Sequence, residues 1–431
     1  MAEIRPFRAL RYDPAKVNLQ DVVTQPYDKI TPAMQQGYLD RNPANFIRFE
    51  LPPPGNDPYE GAREFLAQAR QSGLVRLEDR PAIYVYDQWF QPPVHSDQSF
   101  TRRAIIALGR LYDYSDGVIF RHEQTLTAPK RDREQLLKTT RVQSGLLFMM
   151  YDDPAHTIES LQPGADVAEF VDDLGIRQRL WVITDPDAIA KVQRVIGPLP
   201  LFIADGHHRY ETALSLRRSG DGRHAEDFAM MALVNLRSEG LMVLPTHRTI
   251  FGLDPQRFAE GMKRLVADMR ATRIDAAPAP TADVPRSRFI FSFATADGEA
   301  WKVDLPRDDV RQRLPGRPCE LNVEALHSMF DQYFGISAAD AAAETNIRYF
   351  RHPQDALRDL ASGAQVAFFL RPLTLQSVRD RSIRGELLPQ KSTDFYPKMN
   401  SGLTLYSWDE SFEPTLATPA RVGHPPQGAA R

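Results

Sequence analysis

Five consecutive residues, Asp205-Gly206-His207-His208-Arg209, bring a carboxylate, a glycine, two imidazoles and a guanidinium together. The apolar run Leu201-Phe202-Ile203-Ala204 precedes them and reads as a buried strand. Tyr210, Ala213 and Leu214 behind them mark the inward face of a helix. An Asp-Gly turn from strand to helix allows close backbone approach, because glycine reaches conformations closed to other residues. The unbonded N–H groups of a first helical turn, with the helix dipole, favour an anion. Arg209 can add a planar fork of donors to phosphate oxygens. Asp at a helix start is a common cap and a single histidine is usually structural, but five such residues in a row exceed what a packing turn needs. The run is not a nucleotide P-loop, since no Gly-x-x-x-x-Gly-Lys pattern occurs. The expected roles are catalysis for Asp205, His207 and His208, and phosphate binding for Gly206 and Arg209.

Three further segments carry ionisable groups at the ends of extended runs. Arg121-His122-Glu123-Gln124-Thr125 follows the apolar Val118-Ile119-Phe120 and leads to Lys130, Asp132 and Arg133. Glu123 suits a general base or, with Asp205, a magnesium ligand; a capping or ion-paired carboxylate is an equal alternative. Near the C-terminus, Lys391-Ser392-Thr393-Asp394-Phe395-Tyr396-Pro397-Lys398 suits a loop that wraps anions, with Lys391, Ser392, Thr393 and Lys398 as phosphate contacts. His247, in Pro245-Thr246-His247-Arg248, is a weaker candidate. His207 and Glu211 have a usable metal spacing, but no His-Glu-x-x-His occurs and Cys319 is the single cysteine, so zinc is not expected. Magnesium carried on the phosphates of a nucleotide or pyrophosphate is the expected cofactor.

These segments need a scaffold. A chain of 431 residues implies two or three packed units. Its 42% hydrophobic and 25% charged composition is ordinary for a globular protein. A net charge of −3 gives no general attraction to nucleic acid or an anionic membrane. No run of apolar residues is long enough to span a bilayer, so a cytoplasmic protein with no membrane partner is expected. A lone cysteine excludes an intramolecular disulfide.

Strands are expected at Ala82–Phe90, Phe100–Leu111, Leu146–Tyr151, Leu180–Thr184 and Leu201–Ala204, with helices after Pro58, over Ile189–Ile196 and from His207 to Arg218. Asp297-Gly298 predicts a hairpin between Phe289–Phe293 and Ala300–Leu305. Helices over Val323–Tyr333 and Pro353–Ser362 and strands at Ile347–Phe350 and Val366–Leu370 follow, so the fold class is mixed α/β. The division expected is an N-terminal α/β region over 1–250 carrying the Asp-Gly-His-His-Arg box. A C-terminal α/β region over 251–412 would contribute the Lys-Ser-Thr loop to the same site, followed by a disordered tail over 413–431.

The run Ile203-Ala204-Asp205-Gly206-His207-His208-Arg209-Tyr210-Glu211-Thr212-Ala213, the segment Lys391–Lys398 and the opening Pro6-Phe7-Arg8-Ala9-Leu10-Arg11-Tyr12 resemble a bacterial domain-of-unknown-function family, number 1015. More remotely, Gly206-His207-His208-Arg209 resembles the Gly-x-x-Arg phosphate box of the ParB and sulfiredoxin superfamily, which includes partition proteins and a free-serine kinase. That resemblance implies a ParB/sulfiredoxin-like phosphate-binding core with additional α/β layers. The chain departs from sulfiredoxin in lacking a cysteine beside Arg209, and from partition proteins in lacking an evident helix-turn-helix after the box. The expected function is phosphoryl transfer from a nucleotide or pyrophosphate to a small serine-like hydroxyl compound. A non-catalytic nucleotide-gated module and a nucleotide hydrolase are the alternatives. A small phosphate ligand is the expected partner; nucleic acid is disfavoured, and the oligomeric state is open.

Overall fold

A computed structural model describes residues 1–55, 57–93, 98–123, 127–162, 164–219, 224–278 and 287–412, without the side chains of 127–130 and 165–167. The expected tail over 413–431, most of Ala277–Pro285, whose Ala and Pro content reads as an exposed linker, Gln124 and Thr125, and the Lys130 side chain therefore lie outside the described residues.

Ile83–Phe90 and Phe100–Arg110 pair antiparallel, with Tyr84 opposite Ile106 and Phe90 opposite Phe100. Successive side chains of a strand face opposite sides. Tyr84, Tyr86, Ile106 and Leu108 enter one core, while Ile83, Val85, Ile105 and Ala107 enter a second. The sheet is thus covered on both faces. This explains why Phe228–Asn235, buried at every position, reads as a continuous apolar run rather than an alternating one.

In full, this nine-stranded mixed sheet runs Ile119–Phe120, Leu201–Asp205, Leu147–Tyr151, Phe228–Asn235, Phe100–Arg110, Ile83–Phe90, Arg177–Ile183 and Ala165–Val171, with Ile4–Arg5 also on Phe100–Arg110. Leu201–Asp205 lies parallel to Ile119–Phe120 and antiparallel to Leu147–Tyr151. Asp185 caps the helix Pro186–Ile196, its side chain accepting from the Ala188 N–H. Asp57 caps Pro58–Gln71 in the same way, with proline at the first helical turn.

A six-stranded antiparallel sheet follows, in the order Thr272–Ile274, Ala300–Pro306, Arg288–Thr295, Val366–Phe369, His247–Ile250 and Ile347–Phe350. The Asp297-Gly298 hairpin joins its second and third strands. The helices Pro255–Asp268 and Asn322–Met329 cover it, with Leu265, Leu326, Phe291 and Phe368 in one core.

The chain then crosses back. Asp394–Tyr396 pairs with Met242–Leu244, and Phe395, Met399, Leu405 and Tyr406 join the core of the first sheet. Arg102, fully buried in the strand Phe100–Arg110, fastens this return. It donates to the carbonyls of Tyr396 (3.1 Å) and Pro397 (2.5 Å) and, through Nε, to Gln88 Oε1 (3.1 Å). Gln88 Nε2 in turn donates to the Lys398 carbonyl at 3.1 Å. Burial, only partly offset by Tyr86 and Tyr396, pulls the Arg102 guanidinium down to about 9. Arg102→Met relieves that desolvation but leaves three buried acceptors unpaired, so a net loss of about 3 kcal/mol in urea unfolding is expected. A variant as stable as the parent contradicts this anchor.

Candidate active site

Asp205 ends its strand, Gly206 takes a φ of 95°, and the helix His207–Ser219 begins at the next residue. A side chain disfavours that φ, and a Cβ on Gly206 would also lie 3.2 Å from the Arg209 guanidinium carbon. Across the turn, a Cβ on Gly145 would lie 2.7 Å from Arg209 Nη1. Arg209 is therefore held close between two glycines. Its Nη1 donates to the Leu146 carbonyl at 2.7 Å, and its Nη2 lies 3.8 Å from Asp205 Oδ2. Tyr210 pins the helix from below, its hydroxyl donating to the Tyr112 carbonyl (2.7 Å) and accepting from the Tyr112 N–H (3.0 Å).

The returning C-terminal segment places an ammonium at this strand end. Lys398, 6% exposed, sets Nζ 3.4 Å from Asp205 Oδ2 and 3.3 Å from Asp394 Oδ1. Lys29 approaches Asp394 to 3.8 Å, and Arg351 grips the same carboxylate with Nε at 2.5 Å and Nη2 at 3.1 Å. Burial alone would raise Asp205; Lys398, Arg209, Lys29 and His207 together hold it well below the usual carboxylate range. Burial is likewise overcome at Asp394 by Lys398, Lys29 and Arg351. Burial lowers Lys29, and the neighbouring charge of Lys398 lowers it further. At Lys398 burial is outweighed by Asp205 and Asp394, and the ammonium is held upward.

Beside this charged cluster stand neutral groups. His122 is fully buried, its Nε2 2.9 Å from Thr393 Oγ1, and burial pulls it down to about 4. The His207 ring packs edge-on against it at 4.6 Å. His207 is 7% exposed, its Nε2 has no hydrogen-bond partner among the described residues, and burial with the neighbouring His122 holds it well below the usual imidazole value. Glu123 bridges to Leu388, and its Oε1 accepts from the Lys391 N–H at 3.3 Å. Burial pushes Glu123 up to about 7, against the opposing pull of that N–H and of the Lys391 charge.

Segments far apart in sequence thus converge: His122-Glu123, Asp205–Arg209 and Lys391–Lys398. Ser392 is spent on its own loop, donating to the Pro389 carbonyl. Burial lowers His208, which lies within electrostatic reach of Glu211, Asp28 and Lys391. Arg121 pairs with Glu211 at 2.7 Å over the Tyr114 ring. Arg133 faces Tyr27 and binds Asp132 and the Glu50 carbonyl; with Arg209 it lines a cavity of about 50 Å³ behind the box. His247 turns away, its Nδ1 accepting from the Leu370 N–H at 3.3 Å, while its neighbour Arg248 donates to the Lys391 carbonyl at 3.0 Å.

Lys29, Tyr27, Arg248, Arg351 and Asp394 join the cluster without having been singled out by sequence. Tyr27-Asp28 reads as a turn, and a turn it is, a 3-10 helix over Tyr27–Lys29; only the fold brings it to the box. Asp394 stands inside the Lys391–Lys398 run, where its neighbours' charges drew the attention.

The two acidic groups expected to hold magnesium do not build a resident metal site. Asp205 is engaged by Lys398 and Arg209, Glu123 by the Lys391 N–H, and no cluster of three His, Cys, Asp or Glu is placed to hold an ion among the described residues.

Glu123 has a measurable consequence for stability. A carboxyl whose folded value lies above its unfolded value binds more protons folded than unfolded in that interval. Its contribution therefore falls as pH rises from the ordinary carboxylate range through about 7. Glu123→Gln removes that loss. The melting temperature of the variant relative to the parent is expected to climb between pH 5 and pH 8; a flat difference contradicts the perturbed carboxyl.

No described helix is long and apolar enough to cross a membrane. Among curated proteins none matches the sequence. Among solved structures, a free serine kinase in complex with AMP aligns with a TM-score of 0.37 and 12% identity, over 68% of this chain and 86% of that one. A conserved hypothetical protein from Pyrococcus furiosus aligns with a TM-score of 0.34 and 12% identity, over 68% and 90%. Likeness this distant carries no conclusion about ligand or reaction. The sequence itself is decisive for kinship: the model of the protein family of unknown function DUF1015 matches residues 4–327, and the chain belongs to that family.

Proposed function

We propose that the chain is a small-molecule phosphotransferase, taking a phosphoryl group from a nucleotide or pyrophosphate and passing it to a serine-like hydroxyl. The observation that carries this reading is the crowding of Lys398, Lys29 and Arg209 around Asp205 at the start of the helix His207–Ser219. Four cations, counting Arg351, face the carboxylates Asp205 and Asp394, and Asp28 is a third carboxylate within electrostatic reach of Lys29 and Lys398. The excess positive charge, the dipole of the helix start and the glycine turn suit a phosphate chain.

Glu123 supplies the complementary chemistry. A carboxyl near 7 is divided between its acid and base forms at neutral pH, the condition in which a general base works best. In the proposed step the acceptor oxygen attacks phosphorus and its proton passes to Glu123. The bond from phosphorus to the donor's bridging oxygen breaks, and Lys398 and Lys29 stabilise the charge that builds on the departing phosphate. His207, kept neutral, offers Nε2 to the bound ligand. Magnesium enters only as an ion carried by the donor's phosphates, and no step is assigned to it.

Arg209 cannot be treated as a free ligand arm, since it also holds the Leu146 carbonyl. Arg209→Ala is expected to lower both melting temperature and affinity, the latter by about 1.5–3 kcal/mol for ADP or pyrophosphate. Glu123→Gln separates binding from chemistry: affinity for the same probes is expected to survive while phosphoryl transfer is lost. Full transfer by Glu123→Gln overturns the base assignment. Binding by the parent chain with no transfer to any hydroxyl compound favours a nucleotide-gated module.

A further inference from the structure

Arg351 follows the edge strand Ile347–Phe350 of the six-stranded sheet, beyond the residues that the family model matches. It sits beside the candidate site without pointing a donor at Asp205: among the described residues its side-chain hydrogen bonds are the two to Asp394, and its guanidinium lies 5.3 Å from the Tyr396 ring. Asp394 is shared. The same carboxylate holds Lys398 at 3.3 Å and Lys29 at 3.8 Å, and Lys398 continues to Asp205 at 3.4 Å. On the neighbouring strand Arg248 takes the Lys391 carbonyl, so Arg248 and Arg351 grip the loop at Lys391 and at Asp394.

We propose that Arg351 is a positioning residue: by saturating Asp394 it leaves the ammonium groups of Lys398 and Lys29 available to an anionic ligand at Asp205. The reasoning is electrostatic. A carboxylate that already accepts two charge-assisted bonds from a guanidinium competes less strongly for nearby ammonium groups. Without Arg351, the full charge of Asp394 falls on Lys398 and Lys29 and draws both away from the incoming phosphate. The six-stranded sheet then serves the site on the other sheet through one bidentate contact. This inference rests on the phosphate-binding reading above.

The test is a double-mutant cycle read by calorimetric titration of pyrophosphate into the full chain. Arg351→Gln is expected to weaken binding about tenfold. Arg351→Lys, which keeps a charge on Asp394, is expected to restore most of that loss. In an Asp394→Asn background Arg351→Gln is expected to change affinity little, because the charge it acts through is gone. An equal loss in both backgrounds, or no loss in the parent, overturns the proposal. A parent chain that binds no pyrophosphate refutes the phosphate reading instead. Amide exchange then decides the positioning claim: faster exchange at 394–399 in Arg351→Gln, absent when Asp394 is Asn, supports it, and unchanged exchange overturns it.

Discussion

The Lys398 ammonium lies 3.4 Å from Asp205, and on that contact the rest of the arrangement turns. It joins two pieces of chain almost two hundred positions apart, at a depth where an unpaired charge is costly. To bring Lys398 there, the C-terminal segment must leave the six-stranded sheet and pair at Met242–Leu244. It must also be held by Arg102 through the carbonyls of Tyr396 and Pro397. A buried ion pair is weak evidence for stability in itself, since desolvation offsets most of the attraction. Arg209 lies on the same Asp205 carboxylate and Lys29 on Asp394, and under the proposed function an anionic ligand completes this charge balance.

A division of labour follows from burial. One set of groups is charged: Asp205 and Asp394 are held ionised by their cations. A second set stays near neutrality, because burial keeps His122 and His207 unprotonated and raises Glu123. Under the proposed function the first set holds an anion and the second moves a proton. Enzymes often tune neighbouring titratable groups apart in this way.

How much of this was legible in the sequence depends on whether the signal was local. The strand-turn-helix of the box was readable because apolar periodicity, the Asp-Gly turn and the polar run lie within a dozen residues. Ile83–Phe90 with Phe100–Arg110, and the Asp297-Gly298 hairpin, were readable for the same reason. Arg102 was not, because an arginine inside a strand gives no hint that its partners are carbonyls nearly three hundred residues away. Lys29 and Arg351 were invisible for a similar cause: each meets Asp394 only through tertiary contact. His247 had a suitable residue type, but the register that directs Arg248 to Lys391 sends the imidazole to Leu370. The helix expected over Val323–Tyr333 ends at Met329 and continues as a wide π turn, Phe330–Phe334, a change that residue periodicity does not encode.

The central claim is that the helix start at His207 and the ammonium groups of Lys398 and Lys29 form one phosphate site. A crystal structure of the chain grown with pyrophosphate tests it most directly. The account predicts a phosphate at the Gly206 turn, within hydrogen-bonding distance of Lys398 Nζ and of a backbone N–H at the start of the helix. Pyrophosphate bound elsewhere, with Lys398 still closed on Asp205 and Asp394, would contradict it.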